Sequence, residues 1–258
     1  MKFTVITLFP ELIDSVVQSG LLGQARDRGG VEVATINPRI FTSDAHHTVD
    51  DRAFGGGDGM VMKVEPLAAA VKAAGEGARV FILSPQGRPW TQQEASEWAQ
   101  QGGHRVLVCG RYAGIDQRFR VLHAEDEISL GDFILNGGEV AACAVIESVV
   151  RLLPGTLSNS ESAKKDTFSN GLLECPQFTR PREVGGLNVP EPLLSGNHAR
   201  IKEFEQAVSE VRTALLRPDL LDDEFDLTRA LKIVSALSDP ELVSLSLTRA
   251  DLKALKER

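Results

Sequence analysis

RVFIL (79–83) and RVLVC (105–109) are two short, mainly apolar runs that each contain two β-branched residues, and they decide the fold class. Between them, TQQEASEWAQ (91–100) has the composition of a helix and opens at Thr91 with Glu94 three residues later, the spacing of a capping box. This strand, helix and strand order predicts a parallel α/β sheet. Comparable runs occur nearer the N-terminus, in FTVIT (3–7) and VEVATI (31–36).

Helical spacing recurs on both sides of this unit. It predicts helices in PELIDSVVQ (10–18) and EPLAAAVKAA (65–74). The segment GEVAACAVIESVVRLLP (138–154) is apolar on most sides, which predicts a buried helix. Helical patterns return in SGNHARIKEFEQAVSEVRTALL (195–216) and as shorter helices in the last forty residues.

The domain organisation follows from a change in composition after Pro154. GTLSNSESAKKDTFSNG (155–171) is small, polar and without apolar periodicity, as is typical of a connection between domains. We therefore predict an α/β domain at 1–158, a flexible linker at 159–171 and a smaller, mainly α-helical domain at 172–258.

Composition limits the classes of function. The chain has 258 residues, of which 42% are hydrophobic, and this is enough to build a buried core. Its net charge of -8 disfavours non-specific binding to nucleic acid, so any RNA site must be local. Three cysteines without CxxC spacing indicate neither a disulfide framework nor a zinc site, and a cytoplasmic location is expected. No apolar run reaches the roughly 18 residues of a membrane span.

Glycine-rich loops are the first candidates for a ligand site. They contain Gly110, Gly114, Gly131, Gly137 and Gly138, at the ends of predicted strands, where α/β sheets bind their ligands. Tight structural turns explain such glycines about equally well. The fingerprints of a dinucleotide site and of a P-loop are both missing, which disfavours a dinucleotide-dependent oxidoreductase.

Six motifs occur in an order and spacing that resemble those of bacterial tRNA (guanine-N1)-methyltransferases. The resemblance covers roughly residues 1–217. The motifs are TVDDRAFGGGDGMVMK (48–63), LSPQGR (83–88), CGRYAGID (109–116), SLGDFILNGGE (129–139), ECPQFTRP (174–181) and LLSGNHARI (193–201).

The resemblance implies a SPOUT-type methyltransferase domain in which the chain forms a trefoil knot, followed by a helical tRNA-binding domain. It also implies a homodimer with shared active sites, and S-adenosylmethionine (SAM) as the methyl donor. Adenine needs apolar walls and a few backbone groups more than it needs charge. The residues that the resemblance assigns to this cofactor are Pro85, Gly110, Tyr112, Gly114, Leu130, Gly131, Asp132, Phe133, Ile134, Leu135, Gly137 and Gly138.

The reaction itself requires a base and a cation. Guanine N1 carries a proton at neutral pH, so methyl transfer needs a group that removes it and a donor that stabilises negative charge on O6. The resemblance gives these catalytic roles to Asp166 and Arg151. From the residues alone, Asp166 fits a solvated linker carboxylate and Arg151 fits a cation favoured at the end of a helix.

Substrate contacts are expected at four further positions, which the resemblance places at Asp50, Ser162, Glu174 and His198. His198 equally fits an exposed residue at a helix start. The run SDAHHTVDD (43–51) clusters histidines and aspartates, but adjacent side chains in an extended chain point to opposite sides, so no metal site is predicted.

The expected function is methyl transfer from SAM to N1 of the guanine 3′ of the anticodon, position 37, in a tRNA anticodon stem-loop. Whether Mg²⁺ assists is left open by the sequence. One alternative is a related knotted enzyme that methylates another RNA atom. Another is a weakened or non-catalytic paralogue that binds SAM or RNA, since Ala113 replaces a glutamate that is usual in the GRYEGID motif of the family.

Overall fold

A computed structural model describes residues 1–56, 58–157 and 166–257. The chain forms two compact units, Met1–Ser160 and Glu161–Arg258, and each is described by itself. The predicted boundary at 158, and the linker from 159 to 165, fall outside the described residues. The predicted domain limits therefore stay a prediction.

The first unit is built on a five-stranded sheet with the order β2-β1-β6-β5-β7, in which every neighbouring pair is parallel. The predicted α/β class is confirmed. A separate antiparallel hairpin, β3–β4, was not predicted. The strands of this unit are β1 (Lys2–Ile6), β2 (Glu32–Ile36), β3 (Asp50–Arg52), β4 (Met60–Met62), β5 (Arg79–Pro89), β6 (His104–Cys109) and β7 (Asp126–Ser129).

Helices cover both faces of the sheet, because residues along each central strand alternate between two cores. In β5, for example, Phe81 and Leu83 belong to one buried cluster, whereas Val80 and Ile82 belong to the other. The helices of this unit are α1 (Pro10–Val17), α2 (Gly20–Asp27), α3 (Val64–Ala74), α4 (Gln92–Gln101), α5 (Gln117–His123) and α6 (Glu139–Val150).

The predicted capping box and the predicted buried helix are both present. The Thr91 side chain accepts from the Glu94 N–H and the Glu94 side chain accepts from the Thr91 N–H, so α4 begins where the sequence indicated. Helix α6 packs into the core through residues such as Val145 and Val149, both fully buried.

Strand β5 is longer than its apolar run because it is interrupted where it pairs with β7. The register between the two strands shifts between Leu83 and Arg88. Gly87 lies in this interruption, and a Cβ there would be 2.4 Å from the carbonyl carbon of Glu127. A residue with a side chain would push the two strands apart, so the irregularity depends on glycine.

The second unit is mainly helical, as predicted. Its longest helix, α8, begins after Asn197, whose side chain accepts from the N–H groups of Ala199 and Arg200. A short hairpin precedes the helices and was not predicted. The elements are β8 (Glu183–Val184), β9 (Leu187–Asn188), α7 (Glu191–Leu194), α8 (His198–Leu216), α9 (Thr228–Ser235), α10 (Asp239–Ser244) and α11 (Arg249–Lys256).

The core of this unit joins α8 to the helices that follow it. Phe204, Val208 and Val211 of α8 pack in one buried cluster with Val234 of α9 and Leu245, which follows α10. In the described parts of the chain, no helix combines the length and the apolar character needed to cross a membrane.

Candidate active site

A cleft of about 250 Å³ opens in the first unit, beside the carboxyl ends of β5, β6 and β7. This is the edge at which open α/β sheets bind ligands. The cleft is lined by the end of β5 and the interrupted segment after it, by the loop 110–115 that follows β6, and by the loop 130–138 between β7 and α6. Three separate segments of the chain therefore line the cleft together.

The predicted cofactor residues meet at this cleft. Every residue of the predicted set except Asp132 lines it, and Asp132 is exposed to solvent. Sequence reasoning thus found the loops that form the cleft, and their role toward a cofactor stays a prediction. Further lining residues outside that set include Gln86, Arg111, Ala113, Ile115, Arg120 and Asn136.

The two loops depend on unusual backbone conformations. Tyr112 has φ of 59°, Gly114 has φ of 124° and Gly131 has φ of 149°, all in the region that L-residues rarely adopt. The loops are joined directly, because the Gly138 N–H donates to the carbonyl of Gly110 at 3.3 Å. Gly114 and Gly131 are therefore required by the turns of these loops.

Gly137 and Gly138 have no room for side chains. A Cβ on Gly137 would lie 2.2 Å from Nε of Arg111, and a Cβ on Gly138 would lie 2.8 Å from Cα of Cys109. These contacts bring the backbone of the second loop against the end of β6. The floor of the cleft is consequently formed by backbone, which lets a ligand approach peptide groups closely.

A buried carboxylate that sequence reasoning missed lies behind this floor. Glu139, the first residue of α6, is 2% exposed. Its Oε1 accepts from the Thr7 hydroxyl at 2.7 Å and from Arg111 Nε at 3.3 Å, while its Oε2 lies 2.9 Å from Arg111 Nη2. The Arg111 guanidinium also stacks over the Phe9 ring at 4.2 Å. The ion pair fixes the first loop against the start of α6.

Burial also sets the protonation of the Cys109 thiol, which lies beside this floor. Cys109 is completely buried, and burial, with the nearby Glu139 carboxylate, raises the pKa of its thiol well above the ordinary value. The thiol stays protonated at neutral pH, which leaves it unsuited to act as a nucleophile. Cys109 is therefore a packing residue of the floor.

The two predicted catalytic residues lie in different units. Arg151 caps α6 at its C-terminal end, where its N–H donates to the Glu147 carbonyl at 3.1 Å, and it is half-buried. Asp166 lies in the second unit, and its carbonyl accepts from the Ser169 N–H at 3.0 Å in a turn. Their catalytic roles stay a prediction.

The predicted substrate residues are spread over both units. Asp50 lies in β3 and pairs with Met62 of β4, so it belongs to the hairpin of the first unit. Glu174 and His198 are exposed in the second unit, His198 as the first residue of α8. Ser162 lies outside the described residues. These substrate contacts remain predictions.

The histidine-rich run forms a turn held by Asp44. The Asp44 carboxylate accepts from the N–H groups of His46 and Thr48 and from the Thr48 hydroxyl, and these bonds lower the pKa of Asp44. Within residues 1–56, 58–157 and 166–257, no group of three or more His, Cys, Asp or Glu side chains is arranged to hold a metal ion.

Comparison with known proteins identifies the family to which these features belong. The family model described as tRNA (Guanine-1)-methyltransferase TrmD matches residues 1–223. The chain belongs to this family. The family expected from the six motifs is confirmed, and with it the reaction class, methyl transfer to guanine N1 of tRNA.

Three similar relatives are each named tRNA (guanine-N(1)-)-methyltransferase. The chain is 51% identical over 227 residues to that of Shewanella baltica, covering 86% of this chain and 91% of the relative. It is 48% identical over 225 residues to that of Citrifermentans bemidjiense, covering 86% and 90%. The relative from Nitratidesulfovibrio vulgaris is 48% identical over 223 residues, but the chain spans only about half of it, 52%.

Proposed function

We propose that the protein transfers a methyl group from SAM to N1 of the guanine 3′ of the anticodon, position 37 of tRNA. The observation that carries this proposal is the cleft at the carboxyl edge of the sheet, lined by the residues that the family motifs assign to the cofactor. Family membership supports tRNA as the substrate and guanine N1 as the acceptor atom. The position of the guanine rests on the motif resemblance.

The cleft fits the cofactor that this reaction needs. Apolar side chains such as Leu130, Ile134 and Ile115 line it, and the crowded backbone at Gly137 and Gly138 presents peptide groups rather than side chains. An adenine ring requires this combination of apolar walls and backbone donors and acceptors. When bound, SAM supplies an electrophilic methyl group on a positively charged sulfur.

The chain itself supplies the groups that act on guanine. Asp166 accepts the N1 proton, which turns N1 into a nucleophile, and a positioned base of this kind contributes about 10²–10⁴-fold to the rate. Arg151 donates hydrogen bonds to O6, where negative charge grows as the proton leaves. Asp50, Ser162, Glu174 and His198 hold the RNA loop around the target base. A base in a single-stranded loop is splayed out at modest cost.

Assembly as a homodimer with shared active sites, and a trefoil knot in the α/β unit, are further parts of the proposal. Apolar side chains on one side of α1 support a dimer, because Leu12 and Val16 lie one helical turn apart and are 45% and 37% exposed. Val140, near the start of α6, is 63% exposed. Neighbouring exposed apolar side chains, such as Leu12 and Val16, are typical of subunit interfaces, whereas single exposed ones are common on any protein surface. The free thiols of all three cysteines agree with a location in the reducing cytoplasm.

The test is incubation of the protein with undermodified tRNA and methyl-labelled SAM, followed by nucleoside analysis, with and without Mg²⁺. We expect 1-methylguanosine at position 37. A 2′-O-methylated nucleoside would indicate a related enzyme acting on ribose, and tight tRNA binding without transfer at saturating SAM would indicate a non-catalytic paralogue.

Asp166→Asn should lose at least 10²-fold in single-turnover rate while SAM binding is retained. An unchanged single-turnover rate would remove Asp166 from the role of base.

A further inference from the structure

Phe54 is the most exposed large apolar side chain in the described part of the chain, with its ring fully open to solvent. It lies at the tip of the hairpin between β3 and β4 and precedes Gly55 and Gly56, which have φ of 90° and 74°. Nothing lies within 4 Å of a Cβ built on either glycine. Isolated exposed apolar residues are common on protein surfaces, so exposure alone assigns no function to the ring.

The position of this hairpin gives the ring its significance. At the base of the hairpin, the Ala113 N–H donates to the Met60 carbonyl at 2.8 Å and the Met62 N–H donates to the Gly114 carbonyl at 2.9 Å. Ala113 and Gly114 line the cleft. The hairpin is therefore an extension of the cleft wall, and its tip carries the exposed ring of Phe54.

Two arginines lie near these features, one on the hairpin and one beside the cleft. Arg52, two residues before Phe54, is exposed at the end of β3. Arg39 donates to the hydroxyl of Tyr112 at 3.2 Å and to the His47 carbonyl at 2.8 Å, which places a second guanidinium beside the cleft. In a chain with a net charge of -8, such local cations are what an approaching phosphate backbone can contact.

We propose that the Phe54 ring stacks on an unpaired base of the RNA substrate, and that the hairpin tip is an element that recognises single-stranded RNA. This inference rests on the proposed function, since it requires RNA at the cleft. Aromatic rings bind bases through their faces, and the phenyl ring of Phe54 carries no hydrogen-bonding group. It selects a base that is free to unstack, without regard to the identity of that base.

Substitutions at Phe54 test this role against a matched control. Phe54→Ala should weaken binding of a tRNA anticodon stem-loop, and raise its KM, by about 5- to 100-fold, with SAM affinity unchanged. Phe54→Trp should bind the stem-loop at least as tightly as the unsubstituted protein does, because the indole offers a larger stacking face. Val121→Ala is the control, since Val121 on α5 is 74% exposed and apolar, and it should bind and react as the unsubstituted protein does.

A second measurement separates stacking from a general effect on the hairpin. In stem-loops with one abasic nucleotide at successive loop positions, the position whose base meets Phe54 should weaken binding to the unsubstituted protein. The same abasic stem-loop should bind Phe54→Ala no more weakly than the intact stem-loop does. If every abasic position has equal effects on both proteins, Phe54 does not stack. Absence of methyl transfer by the unsubstituted protein would instead refute the proposed function.

Discussion

Arg111 and Glu139 form an ion pair directly behind the floor of the cleft, with Nη2 and Oε2 2.9 Å apart. The Glu139 side chain is 2% exposed and the Arg111 side chain 19%. Burying a carboxylate is costly unless it is paired and hydrogen-bonded, and here Oε1 accepts a hydrogen bond from the Thr7 hydroxyl. The pair therefore holds the loop after β6 in the conformation that the cleft needs.

Removing one partner of this pair should destabilise the protein more than removing both. Arg111→Met leaves the Glu139 charge buried, and we expect a loss of about 3 kcal/mol in the free energy of unfolding in urea, together with weaker SAM binding. The double variant Arg111→Met/Glu139→Leu should recover part of this loss. Arg118→Met is the control, because Arg118 pairs with Asp116 on the surface, where solvent screens the pair, and the substitution should leave the free energy of unfolding nearly unchanged. Equal losses for the single and double variants would contradict the role of the buried charge.

The glycines of the cleft should separate into two classes. Gly138→Ala forces a Cβ to 2.8 Å from the Cys109 backbone, so we expect impaired folding and no SAM binding. A Cβ on Gly110 would make ordinary contacts with Ile115 at 3.5 Å, so Gly110→Ala should fold normally and lose SAM affinity only if the ligand itself occupies that space. Thermal unfolding and calorimetric titration with SAM measure the two effects. A stable Gly138→Ala protein with full affinity for SAM would contradict this prediction, because it would show that the backbone at Cys109 can move to accommodate the Cβ.

Much of the fold was predictable where local pattern and tertiary structure agree. The apolar runs of β1, β2 and β6 and the capping box of α4 signal their elements without help from the rest of the chain. Strand β7 was missed because DEIS (126–129) is short and half polar, and it becomes a strand only through pairing with β5. The extension of β5 past Leu83 has the same cause.

The sequence predicted the loops of the candidate site but not the buried groups behind them. Sequence motifs indicated the loops of the cleft, but nothing in the sequence distinguishes Glu139 from an ordinary acidic residue in the first turn of a helix. Glu139 can be buried because Arg111 and Thr7, which come from other segments of the chain, pair with its carboxylate. Asp132 was assigned to the cofactor with its neighbours in the motif; its side chain is exposed and is not among those that line the cleft, and its role stays a prediction.

His104 should make stability depend on pH. Burial, and then the nearby Lys2 cation, lower the pKa of His104 from its usual 6.5, and the ring lies 2.9 Å from the Thr4 hydroxyl. The folded protein thus favours the neutral ring, so this contribution is present above pH 6.5 and is lost as the pH falls below it, where the unfolded chain binds the proton more readily. The melting temperature of His104→Gln should fall less between pH 7 and pH 5 than that of the unsubstituted protein. His46→Gln, at an exposed position, should follow the unsubstituted profile.

The helices after residue 223 lie beyond the part of the chain that the family model matches, yet they complete the core around α8. Leu245 is fully buried there, so Leu245→Ala should cost about 2–5 kcal/mol in the second unit. Val243→Ala, at a position that is 51% exposed, should change stability by no more than about 0.5 kcal/mol. Denaturant unfolding followed by circular dichroism compares the two. Similar midpoints for both variants would mean that these helices add little to the unit.

The hydrogen bond between Thr7 and Glu139 also constrains the order in which parts of the chain can fold. The two residues are 132 positions apart, and the strand beside β1 in the centre of the sheet, β6, comes about a hundred residues later in the chain. Contacts that close such long loops form slowly, because the entropy of closure is lost before they contribute. On the ribosome, β1 can pair with β2 early, but it must wait for β6 to be synthesised. A nascent chain that ends before Glu139 has neither the cleft floor nor a partner for Arg111, so we expect early truncation products to have no cleft and to expose apolar surface instead.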